Sequence, residues 1–186
     1  GGEVVDLSTW GFSEFDTVFF GIGWERTEIE AGANLPNNYF LYRETFGPVT
    51  DSLPITVGWQ RDNRDSALTP TSGRFQRVSA EMSIALDTRY IRGNYQFQQW
   101  VPFGKRFTLG LNAEVGYGKG FGDRPFPIFK NFFGGGLGSV RGFEQGALGP
   151  VDVTGAYVGG NRRLNFNSEF YVPLPGSGSD RTLRLF

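Results

Sequence analysis

The feature that most constrains this chain is a strict alternation of apolar and polar residues over long segments. Between Phe107 and Tyr117 every second residue is apolar, and the residues between them are polar or glycine. Successive side chains of a β-strand point to opposite faces, so such a segment has one apolar face and one polar face. The alternation therefore predicts a long strand, because the apolar residues of a helix recur with a period of about 3.6.

The same period recurs along the chain and predicts an all-β fold. The alternating segments are residues 16–28, 53–62, 75–86, 89–101, 107–117 and 164–172, and another strand is expected to start within 182–186. Several approach the ~9–11 residues of a tilted membrane strand, whereas strands of globular proteins cluster near five or six. Charged residues also lie in mid-strand on the polar face, at Arg77, Glu81, Arg92, Glu114 and Glu169. Both observations favour an antiparallel transmembrane β-barrel with a wet interior over the alternative, a soluble β-sandwich.

Large aromatic residues lie near the ends of several of these segments. They are Trp24, Trp59, Tyr90, Trp100 and Tyr117. Tryptophan and tyrosine are enriched where a membrane protein crosses the boundary between lipid and water. We therefore expect these five side chains to form part of an interfacial girdle.

Composition excludes several classes of function. The chain has no Cys and no His, which removes thiolate nucleophiles, disulfides, Ser-His catalysis and the commonest metal ligand. We therefore expect no enzyme activity, no cofactor and no metal site, and we interpret Glu81 and Glu114 as wall residues of a barrel. The net charge is −1 without a basic stripe, so no nucleic-acid partner is expected. No apolar run reaches the about 18 residues of a transmembrane helix.

The connections between the predicted strands alternate in length, as they do in outer-membrane barrels. Residues 103–105 and 175–179 read as short turns. Residues 30–52 form a longer loop, in which residues 39–42 are predicted to make a short amphipathic turn on the membrane surface. The longest connection is the loop 118–163, and loops of that length are usually functional.

The long loop carries the most specific sequence signal. Its glycines lack the spacing and the context of a phosphate-binding loop, so we reject that interpretation. Three parts of the loop are distinctive: a Phe-rich run at 127–133, Ser-Val-Arg-Gly-Phe at 139–143 and Leu-Gly-Pro at 148–150. Together they resemble the sixth extracellular loop of the BamA family, a group of outer-membrane assembly factors with POTRA domains and a Val-Arg-Gly-Phe/Tyr motif. Residues 165–170 and 68–74 resemble a strand and a periplasmic turn of the same family.

The resemblance implies roles for individual residues of the loop. Val140, Arg141, Gly142 and Phe143 match the motif, and the family's loop folds back into the barrel lumen, where its arginine pairs with acidic residues of the inner wall. Carried over, Arg141 is the lumen arginine and Glu169 is one acidic partner. The alternation independently puts Glu169 on the polar face. Gly142 is expected to need a positive φ or close packing, and Phe143 either packs under the loop tip or is an exposed anchor.

The resemblance also implies the architecture and the partners. We expect residues 1–186 to form a barrel fragment of about 6–8 strands, corresponding to about strands seven to thirteen of a family barrel of about sixteen strands. A second acidic partner of the arginine is expected shortly after Phe186. Residues 1–5 lack signal-peptide features, so a mature chain or an internal piece is expected. Unpaired strand edges would then be closed by a longer chain or by other pieces.

The function implied by the family is the folding and insertion of β-barrel proteins into the bacterial outer membrane. The expected partners are the lipid bilayer, unfolded outer-membrane protein substrates and accessory assembly lipoproteins. A two-partner secretion transporter that exports a β-helical protein shares the Val-Arg-Gly-Phe motif and remains the first alternative. An outer-membrane enzyme or a passive pore is the second, and a pore would keep a steady conductance after deletion of residues 119–162.

Overall fold

Eight antiparallel strands form one sheet, and their order in space is their order in the chain. The computed structural model describes residues 3–11, 13–32, 35–104, 106–173 and 182–185. The strands are β1 (Glu3–Gly11), β2 (Asp16–Glu28), β3 (Val49–Asp62), β4 (Gly73–Leu86), β5 (Tyr90–Phe103), β6 (Phe107–Gly120), β7 (Arg162–Pro173) and β8 (Thr182–Leu185). The all-β antiparallel fold predicted from the alternation is confirmed.

Strand β1 was not predicted, and its pairing explains why. The register between β1 and β2 shifts between Val5 and Ser8, where the strand has an irregularity. A bulge of this kind inserts an extra residue and reverses which face the following side chains occupy. The period of two is therefore interrupted inside β1, and a search for strict alternation passes over it.

The two faces of the sheet have opposite environments. The pairing registers align Phe19, Gly58, Asn94, Gly116 and Arg163 across β2, β3, β5, β6 and β7, so these residues share one face, here called the loop face because the long loop packs against it. The opposite, outer face carries large apolar side chains that are 37–78% exposed: Phe20, Ile22, Trp24, Val57, Val78, Met82, Ile84, Ile91, Tyr95, Val101, Val115, Tyr117, Leu164 and Phe166. A covered polar face and an exposed apolar face are the arrangement of strands that turn one side to lipid.

Only part of the set expected in the aromatic girdle lies on the outer face. Trp24 and Tyr117 lie on the outer face and are 43% and 46% exposed, and Trp59 shares that face. Tyr90 and Trp100 lie instead on the loop face, so the prediction was wrong for them. Tyr90 is fully buried and donates a hydrogen bond to Glu81. Nearness to a strand end does not determine the face of a side chain, whereas its parity along the strand does.

Glycines on the loop face accommodate phenylalanine rings. A Cβ atom on Gly116 would lie 2.7 Å from the ring of Phe132, and one on Gly118 would lie 2.3 Å from the ring of Phe126. Both rings belong to the long loop, and Phe132 is only 4% exposed. The missing side chains of β6 therefore create two slots into which the start of the loop packs.

The long connections lie at one end of the sheet, where β2, β4 and β6 end. The predicted turn at residues 39–42 belongs to a ten-residue helix, α1 (Asn37–Phe46). Strands β5 and β6 pair up to Phe103 and Phe107, which agrees with a tight turn, although Lys105 and all of 175–179 lie outside the described residues. Within the described ranges, neither α1 nor any other helical segment has the length and hydrophobicity needed to cross a membrane.

Candidate functional site

The loop between β6 and β7 is folded rather than structureless. It starts after Gly120 and ends before Arg162, slightly inside the predicted limits of 118 and 163. A single 3-10 turn spans Ile128–Lys130. Three isolated bridges join distant parts of the loop: Phe132 with Gly160, Gly134 with Leu148, and Val151 with Tyr157. Two segments of the loop contact the loop face, and they are here called the first arm (residues 126–132) and the second arm (residues 137–143).

The second arm brings Arg141 against the wall formed by β7. Its Nη1 atom lies 2.6 Å from Oε1 of Glu169. The other carboxylate oxygen of Glu169 accepts a hydrogen bond of 2.7 Å from the hydroxyl of Tyr171, which is also on the loop face. The side chains of Arg141 and Glu169 are 28% and 17% exposed. The two site residues named from the sequence are therefore in direct contact, as a partly buried charge-assisted pair.

Ser139 provides a second attachment for the same arm. The side-chain amide of Asn165 donates to its Oγ at 2.8 Å, and the side-chain amide of Asn167 donates to its backbone carbonyl at 2.7 Å. Asn165 and Asn167 alternate with outer-face residues on β7, so both amides point toward the loop. Strand β7 thus presents a ladder of polar groups that is complementary to the second arm.

The other members of the motif, Val140, Gly142 and Phe143, carry no charge. They contribute to the backbone conformation and the packing of the second arm. Gly142 has φ = 87°, and no atom lies within 4 Å of where its Cβ would be, so the backbone conformation, not close packing, requires glycine. Phe143 is 52% exposed, which agrees with the exposed alternative and not with packing under the tip. Its carbonyl accepts a hydrogen bond from the amide of Gly136 at 3.1 Å. Val140 is half-buried beside Arg141.

A cavity of about 220 Å³ adjoins the Arg141–Glu169 pair. Its walls include Gln98 and Trp100 of β5 together with Leu137 of the loop. A polar space of this size can hold several water molecules. The ion pair is therefore accessible to water, and a hydrated pair is weaker than a dry pair.

A second ionic contact lies where the two arms meet. Nη2 of Arg163 is 2.9 Å from Oε1 of Glu114 and donates a hydrogen bond of 3.2 Å to Oδ1 of Asn94. The guanidinium groups of Arg92 and Arg163 lie 4.3 and 5.4 Å from the ring centroid of Phe132. Cations over an aromatic face attract its electron-rich surface. The ring of Phe132 is therefore held by the glycine slot on one strand and by arginines from two others.

Sequence reasoning did not single out these contacts around Phe132. The alternation predicts Glu114 only as a wall residue without a specific partner, and it does not mark Arg163 or Phe132 as site residues. The available signal was the glycine at a loop-face position of β6, because such a gap in a long strand marks the close approach of another group.

The first arm makes an ionic contact of its own. Nζ of Lys130 lies 2.7 Å from Oε2 of Glu25 and 3.0 Å from Oε1 of Glu81. Both carboxylates belong to the loop face, on β2 and β4. Glu81 and Glu114 thus each face a cation of this chain, which leaves little reason to treat them as a catalytic carboxylate pair. Among the described residues no group of three or more His, Cys, Asp or Glu is placed to bind a metal ion.

Helix α1 is attached to the loop above the sheet. The hydroxyl of Thr154 donates a hydrogen bond of 2.6 Å to Oδ1 of Asp152, and the first amide of α1, that of Asn37, donates one of 2.6 Å to Oδ2. The bond from Thr154, with the amide donors, holds the pKa of Asp152 below its ordinary value. Tyr42 of α1 packs edge-on against Phe129, with ring centroids 6.0 Å apart. The helix and the loop therefore form one cap at this end of the sheet.

This chain is similar in sequence to a known protein family and to several characterised proteins. A family model described as the Omp85 superfamily domain matches residues 5–186. The chain is 37% identical over 187 residues to the outer membrane protein assembly factor BamA of Neisseria meningitidis serogroup B, covering 93% of this chain and 24% of that protein. It is 29% identical over 156 residues to the sorting and assembly machinery component 50 homolog of Mus musculus, covering 83% of this chain and 33% of that protein.

A solved structure has the same fold. The crystal structure of BamA from Haemophilus ducreyi lacking POTRA domains 1–3 superposes with a TM-score of 0.80 at 19% identity, over 92% of this chain and 37% of that chain. The chain spans only about a quarter to a third of the length of the two curated relatives.

Proposed function

This chain belongs to the Omp85 superfamily, and from that premise we propose that it is part of an assembly factor that folds and inserts β-barrel proteins into the bacterial outer membrane. The names of the two curated relatives, an outer membrane protein assembly factor and a sorting and assembly machinery component, support this proposal. The apolar outer face supports the same location, because exposed apolar side chains on many neighbouring strands are stable in lipid.

We propose that residues 1–186 contribute about strands six to thirteen of a larger barrel, one more than expected because β1 precedes the strand expected as the seventh, with 118–163 as its lumen loop. In the described sheet β1 and β8 are the terminal strands. A terminal strand in lipid leaves backbone groups without hydrogen bonds, which a bilayer does not tolerate. Further strands are therefore needed on both sides, and the small share of the relatives' length that this chain spans agrees with that need.

The observation that carries the functional proposal is the attachment of the motif arm to the wall. Arg141 and Ser139 contact Glu169, Asn165 and Asn167, which lie on the same face of β7. In this proposal the docked Val140, Arg141, Gly142 and Phe143 keep the barrel in the conformation that accepts substrates. Glu169 is the acidic partner that holds the arginine.

The proposed partners follow from the same assignment. The outer face contacts the lipid bilayer, and the barrel receives unfolded outer-membrane proteins with the help of accessory assembly lipoproteins. Folding and insertion change the conformation of the substrate and not its covalent bonds, so the proposal requires no enzyme activity, cofactor or metal. Binding and bilayer entry of a substrate need apolar contact and strand edges rather than an activated nucleophile.

The test is an insertion assay with the full-length protein that carries this chain. The protein is reconstituted into phospholipid vesicles, and a urea-unfolded β-barrel protein is added. The folded fraction of the substrate is followed by its resistance to added protease. We expect faster and more complete folding than in empty vesicles, and a clear loss of this gain in Arg141→Met but not in Arg106→Met, which changes an exposed arginine at the other end of the sheet.

Folding no faster than in empty vesicles would refute the assembly function. Protection of an added β-helical protein inside the vesicles, without any gain in barrel folding, would instead identify a secretion transporter.

A further inference from the structure

The first arm of the loop has its own ionic attachment, which lies apart from the motif. The ammonium group of Lys130 contacts Glu25 at 2.7 Å and Glu81 at 3.0 Å. These carboxylates come from β2 and β4, and β3 lies between those strands. One side chain of the loop therefore spans three neighbouring strands of the wall.

The surroundings of Lys130 shield this contact from solvent. Its side chain is only 12% exposed, and those of Glu25 and Glu81 are 32% and 19% exposed. The hydroxyl of Tyr90 donates a hydrogen bond of 2.7 Å to Glu81, and Nζ of Lys130 lies 5.6 Å from the centroid of the same tyrosine ring. Without the ammonium group, two carboxylates would be left on a shielded wall without its charge, which is unfavourable in a partly buried site.

This attachment is separate from the one made by Arg141. The Arg141 contact uses β7, whereas the Lys130 contact uses β2 and β4. The ring of Phe132 in its slot over Gly116 lies between the two positions along the chain. Loss of one attachment would therefore leave the other arm held.

We infer that Lys130 is a positioning residue that fastens the first arm of the loop to Glu25 and Glu81, as a second latch independent of Arg141. The inference rests on the proposed function, since a fastened loop matters where the docked loop controls the barrel. A lysine suits this place because its three ammonium protons can be shared among several acceptors around one point charge.

The experiment measures hydrogen–deuterium exchange in the full-length protein reconstituted in vesicles. Lys130→Met removes the charge and keeps the length of the side chain. We expect amide exchange in residues 126–132 to become about tenfold faster and exchange in residues 137–143 to change by less than about twofold. Lys130→Arg should keep slow exchange in the first arm, because it restores the cation.

Lys119→Met is the matched control, because it removes an exposed lysine of β6 near the same end of the sheet. A double-mutant cycle isolates the ionic contribution. In a background with Glu25→Gln and Glu81→Gln, the further change Lys130→Met should accelerate exchange by less than about twofold.

Unchanged exchange in residues 126–132 of Lys130→Met would overturn the inference, as would an equal acceleration in the neutral background. Either result would leave the proposed function standing, because the insertion assay tests that function separately. Acceleration confined to the first arm supports the second latch whatever the rate of insertion, whereas an equal acceleration in residues 137–143 would overturn its independence from Arg141.

Discussion

Replacement of Arg141 by methionine should release the second arm of the loop while leaving the sheet intact. Methionine fills a similar length but cannot pair with a carboxylate. Glu169, whose side chain is 17% exposed, would keep the hydroxyl of Tyr171 as a donor but lose a cation 2.6 Å away. The Ser139 contacts to β7 would remain, so we expect a weakened arm and not an unfolded loop.

The magnitude follows from the burial of the pair. Removal of one partner from a fully buried pair costs about 3–5 kcal/mol. Here the side chain of Arg141 is 28% exposed and the pair adjoins a cavity of about 220 Å³, so water screens part of the charge. We therefore expect a loss of about 2 kcal/mol, which changes the ratio of docked to released arm by about 30-fold. Adding Glu169→Gln should recover about half of that loss, because the stranded charge disappears.

The assay is again hydrogen–deuterium exchange in the reconstituted full-length protein, read in residues 137–143. Arg106→Met is the control for loss of an arginine as such. Equal exchange in Arg141→Met and in this control would refute the argument. So would a double variant with Glu169→Gln that is released as fully as Arg141→Met, since the two side chains would then not be coupled.

Three further predictions test other parts of the structure. Gly116→Ala should displace the ring of Phe132, because the new Cβ would lie 2.7 Å from it. The docked loop should lose about 1–3 kcal/mol of stability. Faster amide exchange in residues 126–132 would show this loss, and an unchanged rate would contradict the slot. The pKa of Asp152 is lowered by the bond from Thr154, so its support of the cap is present above the ordinary aspartate pKa and is lost as pH falls through the lowered pKa. The protection factor of the Asn37 amide, which is the exchange rate of an unstructured amide at the same pH divided by its own rate, should therefore fall only in that acidic range, and Asp152→Asn should abolish this fall. Ala113→Arg puts a charge on the outer face of β6 and should lower the free energy of unfolding by about 2–4 kcal/mol, because that face contacts lipid. Gln96→Arg on the loop face should lower it much less. Urea titrations in vesicles measure both, and equal costs would contradict the assignment of faces.

Most of the sheet could be predicted from the alternation because parity along a strand is a local property. The segment from Phe107 to Tyr117 shows its apolar face in the sequence itself, and the structure extends the predicted strands by only a few residues. Parity also placed Glu169 on the polar face, which agreed with the role that the family resemblance implied for it. Strand β1 was not predicted because the irregularity in its pairing interrupts the period of two in its sequence.

The contacts of the loop could not be predicted in the same way, because they depend on the register between strands. Nothing near Lys130 in the chain points to Glu25 and Glu81, which meet it only after β2, β3 and β4 have paired. The aromatic residues failed for a different reason. Tyr90 and Trp100 lie near strand ends like Trp24, but along β5 they share the parity of the polar residue Asn94, which puts them on the loop face.

The attachment of α1 to the loop has a consequence for the order of folding. The amide of Asn37 and the carboxylate of Asp152 are 115 residues apart in the chain. The pairing of neighbouring strands closes much shorter stretches, and contacts of long sequence separation carry the larger entropic cost. We therefore expect the cap to complete after the strands beneath it have paired, and its protection from exchange in a refolding experiment would report that pairing.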